Sequence, residues 1–328
     1  MSTLAIQRLG SVLLLVAAGL LLAAPLGLDV AHLLTLNVMV IMGILALSMA
    51  LVWGGSGVFS FGQSVFFGVG AYVYAIGTLS TYDSTWPLLL AIVGAAAAAA
   101  IVGYFLFYGR VGEVYFAVIT LALSLLCYQL INAQASLRIG GVALGGYNGI
   151  PGVPPLNLPG NPDHPLGFSE TYWVCAGLLI VLYLAVRALL RSRFGQTVAA
   201  IRENELRAEL LGYDSRRYKL IVFVVGAAIA GLAGALFAAW GNFIGPDVFS
   251  MMFAAQIIIW AQVGGVGVLV GPILGAFLIQ WLITWLGTTG VGDTNVVLGL
   301  IFIGFVLFVP AGLLPALRKL LERRHDGL

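Results

Sequence analysis

No charged residue interrupts the segment Pro87-Leu88-Leu89-Leu90-Ala91-Ile92-Val93-Gly94-Ala95-Ala96-Ala97-Ala98-Ala99-Ala100-Ile101-Val102-Gly103-Tyr104-Phe105-Leu106-Phe107-Tyr108. A helix of about 20 apolar residues is long enough to cross the hydrocarbon core of a bilayer. Similar runs recur along the chain, which has 328 residues and is 61% hydrophobic but only 9% charged. These runs are unbroken, whereas the strands of a membrane β-barrel alternate apolar and polar residues. The sequence therefore predicts an all-α polytopic membrane protein.

Polar, glycine and proline residues divide the chain into about ten candidate transmembrane helices. These spans lie near 11–28, 31–53, 63–80, 87–108, 113–133, 171–190, 219–240, 250–263, 270–286 and 296–314. The eighth and ninth spans are short, so an alternative interpretation is one span plus a re-entrant segment. We interpret 1–328 as a single transmembrane domain, with a cytoplasmic loop at 191–219 and an outside loop at 134–170.

The distribution of Lys and Arg predicts the orientation, because cytoplasmic loops carry an excess of these residues. With both termini cytoplasmic, only Arg138 of the 15 basic residues lies outside. The inside set comprises Arg8, Arg110, Arg187, Arg191, Arg193, Arg202, Arg207, Arg216, Arg217, Lys219, Arg318, Lys319, Arg323 and Arg324. Met1–Gly27 resembles a secretory signal, but we expect an uncleaved first span because a second span follows almost at once.

The positions of the ionisable residues argue against an ion-coupled secondary carrier and against an enzyme. No predicted span has a carboxylate at its centre, where proton- or sodium-coupled carriers usually need one. The chain also has no phosphate-binding G-x-x-x-x-G-K-[ST] loop. Its three histidines are scattered and form no nucleophile–base pair with a supporting acid. We therefore expect a non-catalytic permease, with a self-contained secondary carrier or channel, or a membrane scaffold, as the alternatives.

Charge is concentrated between Ala199 and Lys219, which predicts a docking element for a soluble partner. A helix over Ala199–Leu211 would have two apolar faces separated by charged residues, and Gly212 would end it in a left-handed conformation. On a helical wheel, one face holds Ala200, Ile201, Ala208 and Leu211, and the opposite face holds Ala199, Leu206 and Leu210. The alternative is an amphipathic loop on the lipid headgroups, anchored by Arg216, Arg217 and Lys219.

Several motifs resemble those of one transporter family. They are Phe194-Gly195-Gln196, Ala200-Ile201-Arg202-Glu203-Asn204-Glu205, Leu211-Gly212, Tyr218-Lys219-Leu220, Ala230-Gly231-Leu232-Ala233-Gly234-Ala235-Leu236, the glycine-rich stretch 263–276, Pro310-Ala311-Gly312-Leu313, and upstream the stretches 114–121 and 145–150. Together they extend from about residue 40 to the end of the chain. They resemble the branched-chain amino acid ABC permeases, and among these the "M" type of permease subunit.

The resemblance implies a subunit of an ABC importer in the bacterial inner membrane. Such a permease passes branched-chain or other hydrophobic amino acids that a periplasmic or lipid-anchored binding protein delivers. It pairs with a second homologous permease and with two cytoplasmic ATPases, which bind the ATP and Mg, so no cofactor or metal is expected in this chain and no nucleic acid as a partner. Urea and short-chain amides are the alternative substrates, because the stretches 120–123 and 259–260 depart from the amino-acid pattern.

Three groups of candidate site residues follow. The resemblance assigns coupling to the ATPases to Arg202, Glu203, Asn204, Glu205, Arg207, Leu211 and Gly212. Polar side chains within the spans make Gln63, Ser64, Thr120, Ser124, Gln256 and Gln262 candidates for the translocation path. An outer gate or docking surface is predicted at Gly146, Tyr147, Asn148 and Gly149.

Glycine-rich segments at 54–62 and 264–271 both follow a descending span in this topology. They suggest an internal repeat, related by a pseudo-two-fold axis along the membrane normal. The alternative is that the glycines only allow close helix packing.

Overall fold

A computed structural model describes residues 19–27 and 29–289, with short pieces at 296–297, 299–300, 303–304 and 312–315. The α-helices are α1 (Val30–Met49), α2 (Gln63–Thr81), α3 (Thr85–Tyr108), α4 (Glu113–Ala133), α5 (Phe168–Arg191), α6 (Arg193–Glu203), α7 (Glu205–Leu210), α8 (Ser215–Gly241), α9 (Met251–Gly264) and α10 (Gly271–Thr289). In this part of the chain, seven helices are long and apolar enough to cross a membrane. The predicted all-α polytopic fold is therefore confirmed.

The described helices match most of the predicted spans. Helices α1 to α5, α8 and α10 correspond to spans two to seven and nine. The predicted eighth span is the 14-residue α9, which at 1.5 Å per residue covers only about 21 Å. Residues 11–18 of the first span and about half of the tenth lie outside the described residues, as do the basic residues of both termini, so the count of ten remains a prediction.

Close packing of small residues joins the helices at the centre of the fold. Helices α1, α2 and α8 are mostly buried, whereas α3, α4 and α5 expose much of their apolar surface. A Cβ atom at Gly70 of α2 would overlap the backbone carbonyl of Gly231 on α8. One at Gly234 would overlap the carbonyl of Phe67 in the same way. The glycines therefore let the two helix backbones touch, which is a common device in membrane helix packing.

The two glycine-rich segments meet at one end of the fold. Helix α1 continues as a π-helix over Ala50–Gly55, and a Cβ at Gly54 would lie 2.6 Å from the carbonyl oxygen of Val266. Arg202 reaches the same end, whereas Gly140, close to Arg138, packs against Ser80 at the opposite end of α2. Arg202 and Arg138 thus lie at opposite ends of the fold, while the orientation of these ends in the membrane remains a prediction. The internal repeat remains a prediction.

The segment between α4 and α5 is a compact set of turns. Its strands are β1 (Arg138–Ile139), β2 (Val142–Ala143), β3 (Ile150–Pro151), β4 (Asn157–Leu158) and β5 (Asn161–Pro165), and β6 (Phe243–Ile244) follows α8. The antiparallel pairs are β1 with β2, β3 with β6, and β4 with β5. Four apolar side chains of the segment are buried: Leu144, Ile150, Val153 and Leu156. This segment therefore covers one end of the helices, the end that the predicted topology places outside.

Hydrogen bonds from β4 fix this cover to the turn between α2 and α3. Asn157 accepts a hydrogen bond from the backbone N–H of Ser84 at 2.7 Å and donates one to Asp83 Oδ1 at 3.1 Å. Hydrogen bonds from the Thr85 backbone N–H and from the Asn157 side chain lower the pKa of Asp83. The carboxylate therefore stays ionised and keeps accepting these bonds at neutral pH.

Candidate functional site

The charged loop forms two short helices, so the prediction of one continuous helix over Ala199–Leu211 is wrong. Helix α6 ends at Glu203 and α7 begins at Glu205, because Asn204 between them is extended, with φ −158° and ψ 98°. The Asn204 Oδ1 atom accepts a hydrogen bond from the backbone N–H of Arg207 at 2.9 Å. This is the geometry of a helix N-cap, for which Asn is a preferred residue. The N-cap preference of Asn is visible in the sequence at Asn204. A helical wheel assumes one continuous helix, so it cannot show a break there.

The break redistributes the apolar residues between two surfaces. Of the predicted face that holds Ala200, Ile201, Ala208 and Leu211, Ile201 and Ala208 are buried, but Ala200 and Leu211 are exposed. Leu206, Leu210 and Leu211 are 68%, 80% and 73% exposed. We call these three residues the leucine surface. Three neighbouring leucines exposed to water form an apolar surface of the kind that marks a protein interaction site.

Arg202 connects the loop to the first described span. Its guanidinium donates a hydrogen bond to the backbone carbonyl of Gly54, the penultimate residue of the π-helix that ends this span. A Cβ at Gly57 would lie 3.0 Å from Arg202 Cγ, and Gly57 has a φ of +77°. Gly57 therefore leaves room for the arginine stem. A cation at the C-terminal end of a helix also interacts favourably with the helix dipole.

A second connection joins α7 to α8. Lys219 Nζ lies 2.7 Å from Glu205 Oε2, and the lysine side chain is only 14% exposed. Burial alone would raise the pKa of Glu205, but the hydrogen bond from Lys219 and the charges of Lys219 and Arg216 lower it. Lys219 is therefore directed to the loop, which contradicts its interpretation as a headgroup anchor. Next to this pair, Ser215 Oγ donates a hydrogen bond to Glu209 Oε1 at 2.6 Å.

The loop ends as the sequence predicts. Gly212 has a φ of +92°, and its backbone N–H donates to the carbonyl of Glu209 at 2.9 Å. Glu203 and Arg207, the remaining coupling candidates, are both exposed. The coupling candidates thus lie in one loop, with Arg202 and Glu205 bound to the protein's own membrane domain and the others directed to solvent.

Three of the six path candidates form one hydrogen-bonded cluster. Ser64 Oγ lies 2.9 Å from Ser124 Oγ, which donates to the carbonyl of Phe249 at 2.8 Å. Thr120 Oγ1 accepts a hydrogen bond from the backbone N–H of Phe61 at 3.1 Å. These hydroxyls therefore join α2 and α4 to the segments that precede α2 and α9.

The three glutamine candidates differ in their surroundings. Gln63 Oε1 accepts a hydrogen bond from Ser48 Oγ at 3.2 Å, while its buried amide nitrogen has no hydrogen-bond partner among the described residues. Gln256 and Gln262 lie on α9, and both are partly buried. A buried amide nitrogen without a partner costs free energy, roughly 1–3 kcal/mol. Gln63 is therefore the path candidate that protein contacts explain least well.

The predicted eighth span is discontinuous. The sequence alone predicts an irregular, re-entrant segment here only as an alternative. After β6, a 3-10 helix over Pro246–Phe249 precedes α9. Its Phe249 carbonyl binds Ser124, which lies near the middle of α4. Helix α9 therefore starts at about half the depth of the neighbouring span. Irregular backbone at this depth is tolerated only against protein or a water-filled path.

The predicted outer turn lies above this discontinuous span. Gly146, Tyr147 and Asn148 form a 3-10 turn, in which a Cβ at Gly146 would lie 2.8 Å from the Ala135 Cβ just beyond α4. A Cβ at Gly149 would lie 2.9 Å from Cα of Gly245. The turn thus joins the end of α4 to the entrance of the irregular segment. Tyr147 is 73% exposed and faces away from the protein.

Comparison with known proteins identifies relatives over most of the chain. The family model for the permease component of branched-chain amino acid transport systems matches residues 31–310. The high-affinity branched-chain amino acid permease LivM of Escherichia coli (strain K12) is 29% identical over 317 residues, covering 87% of this chain and 70% of LivM. LivM of Salmonella typhimurium is 29% identical over 307 residues, covering 85% of this chain and 69% of that protein.

A second type of permease matches part of the chain. LivH of Escherichia coli (strain K12) is 31% identical over 116 residues, covering 34% of this chain and 37% of LivH. No solved structure gives a significant match. These comparisons offer nothing in favour of urea or short-chain amides as substrates.

Proposed function

The chain belongs to the family of permease components of branched-chain amino acid transport systems, and we propose that it is the M-type subunit of an importer for leucine, isoleucine and valine. The observation that carries the proposal is the structure of the charged loop 191–219, which we place in the cytoplasm. It holds the exposed leucine surface, and it binds the buried helices α1 and α8 through Arg202 and Lys219. A soluble partner that binds the leucine surface and changes conformation would therefore displace both helices.

We propose two cytoplasmic ATPases as the partners at this loop, with ATP and Mg bound by them. A second homologous permease completes the membrane unit, which is supported by the similarity of this chain to both LivM and LivH of one bacterium. The large apolar surfaces of α3, α4 and α5 provide room for a partner subunit as well as for lipid. The complex lies in the bacterial inner membrane, with both termini of this chain cytoplasmic.

We propose the outer turn as the docking surface of a periplasmic or lipid-anchored binding protein. Tyr147 is exposed there, and Gly149 packs on the segment that leads to α9. Docking on this turn would shift the irregular segment and open it towards the centre of the membrane. The path then continues past α9, near Gln63, Gln256 and Gln262, while Ser64, Thr120 and Ser124 hold the irregular segment in place.

Reconstitution of the complex tests this function. Proteoliposomes with this permease, its partner permease, the ATPases and the binding protein should take up leucine only when ATP and the binding protein are present. Urea uptake under the same conditions should stay at the level of protein-free liposomes. Leucine uptake by this chain alone, driven by a proton or sodium gradient, would instead identify a secondary carrier. Absence of any uptake by the complete complex would contradict the importer assignment.

A further inference from the structure

A cavity separates the charged loop from the membrane domain. Its volume is about 390 Å³, which falls in the range of roughly 300–1,000 Å³ that is typical of small-molecule sites. The membrane domain contributes one wall, with Arg110 and Glu113 from the turn between α3 and α4. The loop and the start of α8 contribute the other wall, with Glu205, Glu209 and Arg216.

The charges that line the cavity are only partly paired with each other. Lys219 neutralises Glu205, and Glu209 accepts the Ser215 hydroxyl. Within the described ranges, Arg110, Arg216, Glu113 and Glu209 form no ion pair, although the charge of Arg216 also acts on Glu205. The cavity thus offers two guanidinium groups and two carboxylates that have no ion-pair partner among the described residues.

The remaining wall of the cavity is apolar. It is formed by Val58, Phe59, Phe107, Val111, Phe116 and Leu206. Phe107 and Phe116 are both buried, with ring centroids 5.0 Å apart, so this wall is held in place by packing. A ligand that matches the whole cavity carries a negative group, a positive group and a short apolar side chain.

We propose that this cavity binds a zwitterionic amino acid with a branched apolar side chain from the cytoplasmic side. Arg110 and Arg216 bind the α-carboxylate, because a guanidinium can hold a carboxylate through two hydrogen bonds. Glu113 accepts hydrogen bonds from the α-ammonium group, and the side chain packs against Phe107 and Phe116. The transported substrate thus has a second site, separate from the path beside α9.

The position of the site predicts a regulatory effect. A ligand in the cavity contacts the membrane domain through Arg110 and the loop through Arg216, so it favours the conformation in which the two are close. A ligand that binds one conformation better shifts the population towards it. Accumulated substrate in the cytoplasm would therefore oppose loop movement and slow ATP hydrolysis. The identity of this ligand rests on the proposed import function.

Inside-out proteoliposomes of the complete complex test the proposal. The ATPases face the external buffer, the binding protein and leucine are enclosed, and further leucine is added outside, where it reaches only the cytoplasmic face. We expect external leucine to lower the stimulated ATPase rate at least threefold. The analogues 4-methylpentanoate, which lacks the ammonium group, and 3-methylbutylamine, which lacks the carboxylate, should each need at least tenfold higher concentrations.

Charge-removing variants locate the effect. Arg110→Gln, Arg216→Gln and Glu113→Gln should each raise the half-inhibitory leucine concentration at least tenfold, with inhibition expressed relative to each variant's own uninhibited rate. Gln at position 110 keeps a side chain at the same positive φ of 52°, so the backbone cost is unchanged. Arg217→Gln is the matched control, because Arg217 neighbours Arg216 and does not line the cavity.

Two outcomes would overturn the proposal. One is an undiminished ATPase rate at saturating external leucine in complexes that import leucine. The other is equal inhibition of the wild type and the three variants. Binding of radiolabelled leucine to the detergent-solubilised complex without ATP or binding protein is measured in parallel, because it does not depend on transport. Failed import with intact, Arg110-dependent binding would contradict only the proposed function, and failed binding with intact import only the cavity site.

Discussion

The guanidinium of Arg202 on α6 is hydrogen-bonded to the backbone carbonyl of Gly54, at the end of the π-helix that follows α1. The contact joins the exposed charged loop to the most buried of the seven described spanning helices. Lys219 and Glu205 make the corresponding connection between α7 and α8. We therefore expect a displacement of the loop to be transmitted to two central helices.

Replacing Arg202 by Gln should weaken coupling. A hydrogen bond to a charged group contributes at most roughly 1.5–3 kcal/mol, and solvent exposure reduces this value for Arg202. A loss of about 1.4 kcal/mol corresponds to tenfold in an equilibrium. We expect leucine transported per ATP hydrolysed to fall up to about tenfold, as measured by parallel uptake and phosphate-release assays. Arg193→Gln, an exposed arginine at the start of the same loop, should leave the ratio unchanged, and an equal decrease in both variants would contradict the assignment.

Replacing Gly212 by Val should uncouple hydrolysis from uptake. No atom lies within 4 Å of a Cβ built at Gly212, so the side chain itself has space. The cost comes from the φ of +92°, since a β-branched residue in a left-handed conformation loses roughly 1–2 kcal/mol. The measurement is binding-protein-stimulated ATPase activity and uptake in a correctly inserted complex. Gly212→Asn should show a smaller defect, because Asn adopts positive φ more readily, and full stimulated activity with Val would refute the coupling role.

The sequence predicts those features of the fold that depend only on neighbouring residues in the chain. Runs such as Pro87–Tyr108 are long and apolar enough to specify a spanning helix without any knowledge of their neighbours. The left-handed Gly212 was also predictable, because the preference of glycine for that conformation is local. Clustering of the basic residues Arg110, Arg202, Arg216 and Lys219 at one end followed from their spacing between spans.

The rest depends on contacts between distant parts of the chain. The pairing of Lys219 with Glu205 and the cavity beside Arg110 require the loop to fold back on the turn between α3 and α4. The start of α9 at mid-depth depends on Ser124 of another helix. The break at Asn204 has a local cause, the N-cap preference of Asn. The pattern of apolar residues around it is also compatible with one continuous helix, so the break was not predicted.

Cysteine labelling tests the orientation at two positions that the structure makes accessible. Leu210 is 80% exposed, and Leu210→Cys should react with a membrane-impermeant maleimide only from the cytoplasm. Asp163 lies in β5, which is exposed throughout, and Asp163→Cys should react only from outside. Asn157 is unsuitable because it is buried and hydrogen-bonded to Ser84. The reverse pattern, or labelling from both sides, would contradict the topology.

Replacing Gly70 by Val should destabilise the whole membrane domain. The added side chain would overlap the backbone of Gly231, which cannot move without separating α2 from α8. Overpacking of this kind costs roughly 1–3 kcal/mol or more. The measurement is the midpoint of thermal unfolding, followed by size-exclusion chromatography in detergent. Gly94→Ala on α3 is the control, since the nearest atom, Val73 Cγ2, would lie at an ordinary 3.6 Å, and equal midpoints for both variants would contradict the close crossing.

Replacing Gln63 by Leu separates a role in the path from a role in folding. The buried amide nitrogen of Gln63 has no partner in the part of the chain that the structure describes, so its removal should not lower stability. Ser48 loses the Gln63 acceptor but keeps its 2.6 Å hydrogen bond to the carbonyl of Leu45. If Gln63 lines the path, its amide compensates substrate or water during passage, and Leu should lower the leucine uptake rate at least fivefold.

The matched control for Gln63 is Thr78→Val. Thr78 is equally buried near the other end of α2, and its hydroxyl donates within its own helix to Tyr74 and Ala75. We expect this variant to transport leucine at the wild-type rate, so a defect specific to Gln63→Leu cannot result from removing any buried polar group of α2. Uptake and thermal midpoint are measured for both variants in the complete complex. Wild-type uptake by Gln63→Leu, with unchanged stability, would exclude Gln63 from the path.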